Sequence, residues 1–394
     1  MLTTLIKNPT QTPDSAAQSA MPGYQEVYAE VEKTTREGLS PEAIKAFAEE
    51  LNQLKAEVSA KIGDEDIVYV ETVDKVARMC EITGRLLLHF SRDPLSWGLG
   101  VLSLWVYLQL DNLEIHHHAQ HQAWDKLPRA KRFHSDNYYH NSPVDEKAWR
   151  YRHNILHHSY TGQIDRDPDV SFGFFRMGEF IDRQYFHKIQ PLVLVMNALQ
   201  AAGSLGLVAS GLQDYLIRLI PGYRSKDHVA MHGELSFKGF QRSLWQYVRK
   251  AAPTAAYNYG LFGLLAGPRR FGQVTLGMLS AELLRNIFTG LTFYTGHMVE
   301  GVKHYDTPPK NRAEWYIQQI EGTGNVRADR IVSMLMGHLN YQIEHHLFPK
   351  LPPNRLEEIS PQVEALCRKY GVRYNTGTFK EQVLSVFKRV AENA

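Results

Sequence analysis

The sequence predicts an all-α protein, polytopic membrane helices with a helical cap on one side, and three observations carry that prediction. Four apolar stretches with little or no charge interrupt a chain whose mean hydropathy is only −0.35. Three histidine clusters lie outside those stretches at helical spacing. An amphipathic stretch precedes them behind a Ser-Pro helix start.

Residues 1–38 are polar and are expected to form a flexible N-terminal segment. The start, MLTTLIKNPTQTPDSAAQSA, lacks the apolar core of a signal peptide, so insertion is expected to rely on internal segments. Ser40 before Pro41 reads as an N-cap with proline at the first helical position. The helix it opens runs to about Ile62, with Ile44, Phe47, Leu51, Leu54 and Val58 on one face. A second helix covers about 65–92, so residues 39–92 form an N-terminal helical unit. Residues 93–376 form the body, and 377–394 a C-terminal helix.

Within the body, 94–110, 191–213 and 251–268 carry no charge, and 271–299 holds only Glu282 and Arg285. About 20 apolar residues at ~1.5 Å each cross a ~30 Å hydrocarbon layer. The stretch 191–213 is long enough, and the others are marginal. Trp97, Trp105, Tyr107, Tyr257, Tyr259 and Tyr294 sit near the segment ends, as aromatic residues do at membrane interfaces. Glu282 and Arg285, three apart on a helix, are expected to pair.

The net charge of +2 over 394 residues gives no footprint for nucleic acid. Two cysteines, Cys80 and Cys367, exclude a disulfide framework and any four-cysteine zinc or iron–sulfur site within the chain, and they fit a reducing compartment.

The 18 histidines are unevenly spread. LEIHHHAQH holds His116, His117, His118 and His121; RHNILHH holds His153, His157 and His158; NYQIEHHLFP holds His345 and His346. On a helix, residues i and i+4 share a face, so His117 with His121 and His153 with His157 can each offer two imidazoles to one ion. Adjacent residues diverge by about 100°. The doublets 157/158 and 345/346 can therefore serve two neighbouring ions, and the pattern points to a dinuclear site. Imidazole suits iron, copper and zinc alike. The HExxH arrangement of zinc peptidases is absent, since His118 and Asn154 follow the first histidine of each pair. His297, in FYTGHMVEG at the end of an apolar segment, is either an interface residue or a further ligand. Asp165, Asp167 and Asp169 in QIDRDPDV read as a solvated loop broken by Pro168, with orientation of the histidines as the alternative.

Clusters on one side of a membrane require an even number of crossings between His158 and His345, yet three apolar segments lie there. The basic linker 214–250 (Arg218, Arg224, Lys226, Lys238, Arg242, Arg249, Lys250) favours the cytoplasmic side, making 191–213 the segment that fails to cross.

With WRYRHNILHHSYTG and LNYQIEHHLFPKLPPNR, the sequence closely resembles the membrane-bound fatty acid desaturase family, particularly its bacterial acyl-chain members, over roughly residues 85–376. The resemblance implies a helical cytoplasmic cap carrying a diiron site, in a bacterial inner membrane. It implies two Fe2+ ions held by His117, His121, His153, His157, His158, His297, His345 and His346. Stearoyl-CoA-type members carry histidine where Gln342 stands and asparagine where Phe293 stands, so a ninth ligand is open among Gln342, Asn340 and His338. His116 and His118 are near enough to substitute in a rotated helix.

The implied reaction introduces a cis double bond, Δ9 by the family's example, into a long acyl chain on CoA or phospholipid. O2 is the co-substrate and is reduced to two waters. No dinucleotide glycine fingerprint is present, so a separate donor of the ferredoxin or ferredoxin-reductase type must supply two electrons. Lys126, Arg129, Lys131, Arg132, Arg150 and Arg152 are placed to steer an acidic partner, and serve equally as a basic cytoplasmic face. The competing readings are a diiron alkyl-chain hydroxylase and a non-catalytic metal-binding or transport protein. Against transport, the clusters lie outside the apolar segments.

Overall fold

The computed structural model describes residues 39–221 and 236–394. The expected flexible segment 1–38, and Arg224 and Lys226 of the basic linker, lie outside the described residues. The described chain is predominantly helical.

Helix α1 (Pro41–Ala60) starts where the Ser-Pro pair places it, the Ser40 hydroxyl accepting from the Ala43 amide at 3.2 Å. Its face of Ile44, Phe47, Leu51 and Val58 is buried against the helices later labelled α8 and α10, making the core of the cap. Helices α2 (Asp64–Phe90) and α3 (Pro94–Gln109) form a hairpin turned at Asp93, whose carboxylate caps the Ser96 amide at 2.9 Å. They approach closely through small residues. A Cβ on Gly84 would stand 2.6 Å from Leu104 Cγ and 2.9 Å from the Gly100 carbonyl.

Beyond α3 the helix widens into a π-helix, Leu110–His117, and a second π-helix spans Arg150–His157. Helices α4 (Gln190–Leu199) and α5 (Ala201–Ala209) follow, then α6 (Phe237–Ala255), a third π-helical stretch (Ala256–Leu261) and the long α7 (Phe271–His297). The cap is completed by α8 (Arg312–Glu321), α9 (Gln342–Leu347), α10 (Pro353–Tyr370) and α11 (Phe379–Glu392). Strands β1 (Asn325–Arg327) and β2 (Thr376–Thr378) form a parallel pair, Asn325 opposite Thr376.

Among the described residues no single helix is long and apolar enough to cross a membrane. The stretch 191–213 does not run straight: α4 and α5 meet at 96° across Gln200. Asn286 of α7 holds the break, its side chain donating to the Leu199 carbonyl at 3.1 Å and accepting from the Ala202 amide at 3.2 Å. Backbone groups freed by the bend thus find side-chain partners on α7. Glu282 does approach Arg285 (3.9 Å), but it also accepts from Asn258 at 2.9 Å and from Tyr259, so the expected pair belongs to a larger polar cluster.

The cap is tied to the hairpin by a buried charge pair. Asp66, in the first turn of α2 and fully buried, accepts from Arg355 Nε at 2.9 Å and Nη2 at 3.2 Å, joining α2 to the start of α10. Arg355 also pairs with Glu65 at 3.0 Å and Glu358 at 2.9 Å, so losing Asp66 removes its buried partner but not every carboxylate. Asp66→Ala is therefore expected to destabilise the purified protein by about 1–3 kcal/mol, read as a lowered unfolding midpoint; an unchanged midpoint sinks this role.

Candidate metal centre

All eight histidines expected as ligands come together in one buried cluster with two lobes. In the first lobe, ring nitrogens of His117, His121, His153 and His345 all lie within 4.8 Å of one another. In the second, His157, His297 and His346 do the same. His158 lies between, stacked on His346 (ring centroids 4.2 Å), edge-on to His121 (4.5 Å) and 4.8 Å from His345.

Local structure explains the assignment. His117 ends the first π-helix, and the His121 amide bonds back to its carbonyl at 3.2 Å, so these two stand one ordinary turn apart with rings 4.8 Å from each other. The second cluster is different, because a π-helix stacks residues five apart. The His158 amide bonds to the His153 carbonyl, and the two Nε2 atoms are 3.2 Å apart. His153 and His157 do share one candidate set, with Asp169, but the wider turn also places His153 in the first lobe and His157 in the second. On α9, adjacent His345 and His346 diverge as neighbours on a helix must, one entering each lobe.

The donor atoms suit metal ions. His121 Nδ1 and Nε2, His157 Nε2, His158 Nδ1, His345 Nδ1 and His346 Nε2 are buried with no hydrogen-bond partner. Buried polar atoms rarely remain unpaired without a reason such as an ion. His117 Nε2 and His345 Nε2 are 3.1 Å apart. Two nitrogens bound at about 2.1 Å to one ion, at a right angle, stand roughly 3 Å apart. Burial, reinforced by neighbouring imidazoles, pushes His117, His121, His153, His158, His345 and His346 well below the usual histidine range. They are neutral, the form that ligates.

His157 differs. Burial pulls it down, but the Asp167 and Asp169 carboxylates outweigh burial and raise it. Asp167 accepts from His157 Nδ1 at 2.9 Å and from the Gly162 and Asp169 amides. The Nδ1 proton is so fixed, and Nε2 faces the lobe. The solvated-loop reading of QIDRDPDV is corrected for Asp167, which is buried, and for Asp169, which pairs with Arg152; Asp165 alone is exposed. For His346, the Gln319 amide oxygen (3.1 Å) and the Thr161 hydroxyl (3.0 Å) meet Nδ1 and leave Nε2 free.

The remaining candidates separate. His338, at φ 51°, donates to Glu114 at 2.9 Å, and Glu114 also accepts from Tyr69. Burial works against a charge there, yet Glu114 raises His338 to about 9, and its two ring nitrogens face Glu114 and Glu357 outside both lobes. Asn340 donates to the Val326 carbonyl at 3.3 Å. Gln342 places its Nε2 2.8 Å from His297 Nε2 and is the one of the three that joins the cluster. His118 donates to the Gly337 carbonyl at 2.8 Å, and His116 stacks on His140 at 3.9 Å; neither enters a lobe.

Sequence reasoning missed Trp149, which stacks on His153 (4.2 Å) and meets His117 (5.3 Å) and His121 (5.5 Å) edge-on. It also missed an apolar cavity of about 320 Å3 that opens beside the cluster. His153 and His297 line it together with Trp149, Arg152, Asp169 and Phe293, and α4, α5 and the segment after them contribute Val193, Ala201, Leu205 and Ile217. The basic residues expected to steer a partner are largely engaged: Arg129 with Asp64, Arg132 with Asp74, Arg150 with Asp136, and Arg152 buried on Asp169.

The family model described as fatty acid desaturase matches residues 93–378. An NADPH-dependent stearoyl-CoA 9-desaturase of Mycobacterium tuberculosis is 29% identical over 354 residues, covering 89% of this chain and 79% of its own. An sn-1 linoleoyl-lipid 6-desaturase of Arthrospira platensis is 24% identical over 59% of this chain and 60% of its own. An acyl-lipid (9-3)-desaturase of Physcomitrium patens is 36% identical over 30% of this chain and 22% of its own.

Asp167→Ala removes the carboxylate behind His157 and is expected to weaken metal retention roughly 10- to 100-fold in chelator competition, a loss typical of groups that orient a ligand. Retention equal to wild type, with the fold intact by circular dichroism, contradicts this role.

Proposed function

The chain belongs to the fatty acid desaturase family, and on that premise we propose that it is an O2-dependent enzyme placing a cis double bond, at Δ9, in a long acyl chain carried on CoA or phospholipid. The observation that carries the proposal is the juxtaposition of the two-lobed histidine cluster with an apolar cavity that begins at His153 and His297. An apolar slot ending on a few polar groups is what an alkyl chain requires.

The eight histidines would hold two irons, with Gln342 as the further group at His297; together with O2 these supply the oxidising power that an unactivated C–H bond needs and that zinc lacks. The overall change removes two hydrogens from neighbouring carbons and, with two electrons and two protons from outside, turns O2 into two waters. The chain's own residues do the remaining work. Trp149, Phe293 and Val193 line an apolar wall that keeps water from the acyl chain and orients it. Asp167 holds the proton on His157 Nδ1, and Gln319 with Thr161 fixes His346. Electrons come from a separate ferredoxin or ferredoxin-reductase-like protein.

Membrane placement is supported by apolar side chains left on the surface. Phe90 (71% exposed), Leu95 (74%), Leu99 and Leu102 on the α2–α3 hairpin continue to Leu276 and Leu279 on α7. Such a contiguous patch marks a lipid or partner contact. On this reading α2–α3 and α7 enter the inner membrane, the α4–α5 bend dips in and returns, and the cap faces the cytoplasm.

Expression in a host lacking long unsaturated acyl chains should yield a new double bond by lipid mass spectrometry, and purified protein should hold about two irons per chain. His157→Ala should abolish the product; a hydroxylated chain, or product that survives the substitution, defeats the reading. Ala201→Phe, which fills the cavity away from the histidines, should lower turnover of long chains at least tenfold while iron content stays at the wild-type value. Unchanged turnover would take the acyl chain out of this cavity.

A further inference from the structure

Helix α6 is not used by the site, and its composition is one-sided. Between Phe237 and Ala255 it carries Lys238, Arg242, Arg249 and Lys250 and no carboxylate. Its inner face, Ser243, Lys250 and Thr254, is buried. Opposite runs an exposed apolar ridge: Phe237 (74% exposed), Leu244, Trp245 (65%) and Val248. Helical geometry places these within one quadrant and puts Lys238 and Arg242 along its edge. Both are exposed, and neither has a carboxylate partner among the described residues. Toward its C-terminus the helix leads into the uncharged stretch 251–268, where Leu261, Leu264 and Leu265 are exposed. A basic amphipathic half followed directly by a chargeless apolar half is the pattern of a helix lying in a headgroup layer before the chain enters hydrocarbon.

The other two basic residues reach carboxylates, Lys250 from a buried position and Arg249 from the exposed side of the helix. Arg249 pairs with Asp145, whose carboxylate also caps the Ala148 amide at 3.0 Å, and Lys250 pairs with Glu146 at 2.6 Å and reaches the His140 carbonyl at 3.4 Å. Asp145 and Glu146 begin the helical segment that carries Trp149, His153, His157 and His158. The same helix therefore presents two cations outward and uses two to grip the segment that carries the second histidine cluster.

We propose that α6 is a docking surface for anionic phospholipid headgroups, engaged by Lys238 and Arg242 with Trp245 and Phe237 inserted among the acyl chains, and that this contact steadies the Asp145–His158 segment. The anionic bilayer is the occupant because the ridge is apolar, its edge is cationic and, among the described residues, no acidic side chain pairs with Lys238 or Arg242. The proposal rests on the membrane placement argued above and not on the reaction.

Full-length protein, delipidated in detergent, is titrated with phosphatidylglycerol or with phosphatidylcholine of the same chains, and bound lipid is counted by native mass spectrometry. Phosphatidylglycerol should bind more tightly by about fivefold per basic side chain. Lys238→Gln with Arg242→Gln should reduce that preference to parity without lowering the melting temperature, whereas Trp245→Ser should weaken both lipids alike. Phosphatidylglycerol should also slow amide exchange over residues 145–158, and Arg249→Gln should remove the slowing. Equal binding of the two lipids by wild type, a preference that survives the double substitution, or displacement of the lipid by inorganic phosphate overturns the proposal. Turnover is not read in any arm, so a failure here leaves the desaturase reading standing, and a failure of that reading leaves this one.

Discussion

Neutral imidazoles crowded into a buried volume are poor neighbours: each presents a lone pair, and few protein donors are present to meet it. Six buried ring nitrogens on five of the eight histidines lack any hydrogen-bond partner, and each such atom costs on the order of 1–3 kcal/mol if nothing takes it up. Much of the surrounding structure answers that constraint. The two π-helices set the turn width that splits the histidines into lobes, and Asp167, Gln319 and Thr161 occupy the opposite nitrogens of His157 and His346 so that one defined nitrogen faces inward. Two adjacent ions would take up these lone pairs.

A second set of contacts keeps the clusters from drifting apart. Gly337 sits at φ 68° where a Cβ would strike the Leu113 backbone, and His118, His338 and Tyr69 bind the same corner through the Gly337 carbonyl and Glu114. The first and third clusters, more than 200 residues apart in sequence, are thereby locked at a corner where two successive residues take left-handed conformations. Behind the third cluster, Glu344 accepts from Asn325 at 2.8 Å and Tyr374 at 2.7 Å, and burial pushes its carboxyl up to about 7. That fixes α9 to β1 and explains why a two-strand pair occurs in an otherwise helical cap.

Much of this was legible in the residues. The Ser40–Pro41 start and the helix from about 65 follow from capping and periodicity, because these are local rules, whereas the set of eight converging histidines was implied by the family resemblance. The division of His153 and His157 between the two lobes was not legible, since spacing assumes 3.6 residues per turn and a π-helix is set by packing around it. The burial of Asp167 was likewise hidden: three aspartates with a proline among them describe a loop well, and only the tertiary position of His157 turns one of them inward. His338 looked like a ligand for the same reason, as sequence cannot show the Glu114 carboxylate that charges it. The stretch 191–213 was singled out on charge grounds alone, and its sharp bend was not legible, because the break at Gln200 is satisfied by Asn286 from a helix some 80 residues away.

That distant helix, α7, is where the separate demands meet. Its first half packs on α2 and α3 through Val274, Gly277 and Met278, fixing it in the body of the protein. Asn286 then holds the α4–α5 break, and one turn later Gly290 lets Ala198 approach so closely that a Cβ would stand 3.1 Å from its Cα. Phe293 and Tyr294 line the cavity, Tyr294 bonding Asn197 of α4 at 2.6 Å, and His297 ends the helix in the second lobe. One rigid element thus sets the position of the cavity wall, of the bend that closes it and of a lobe of the cluster, at about 1.5 Å per residue. Their spacing is therefore written in the register of a single helix, so an insertion between Asn286 and His297 would shift the cavity against the cluster even if every ligand were retained.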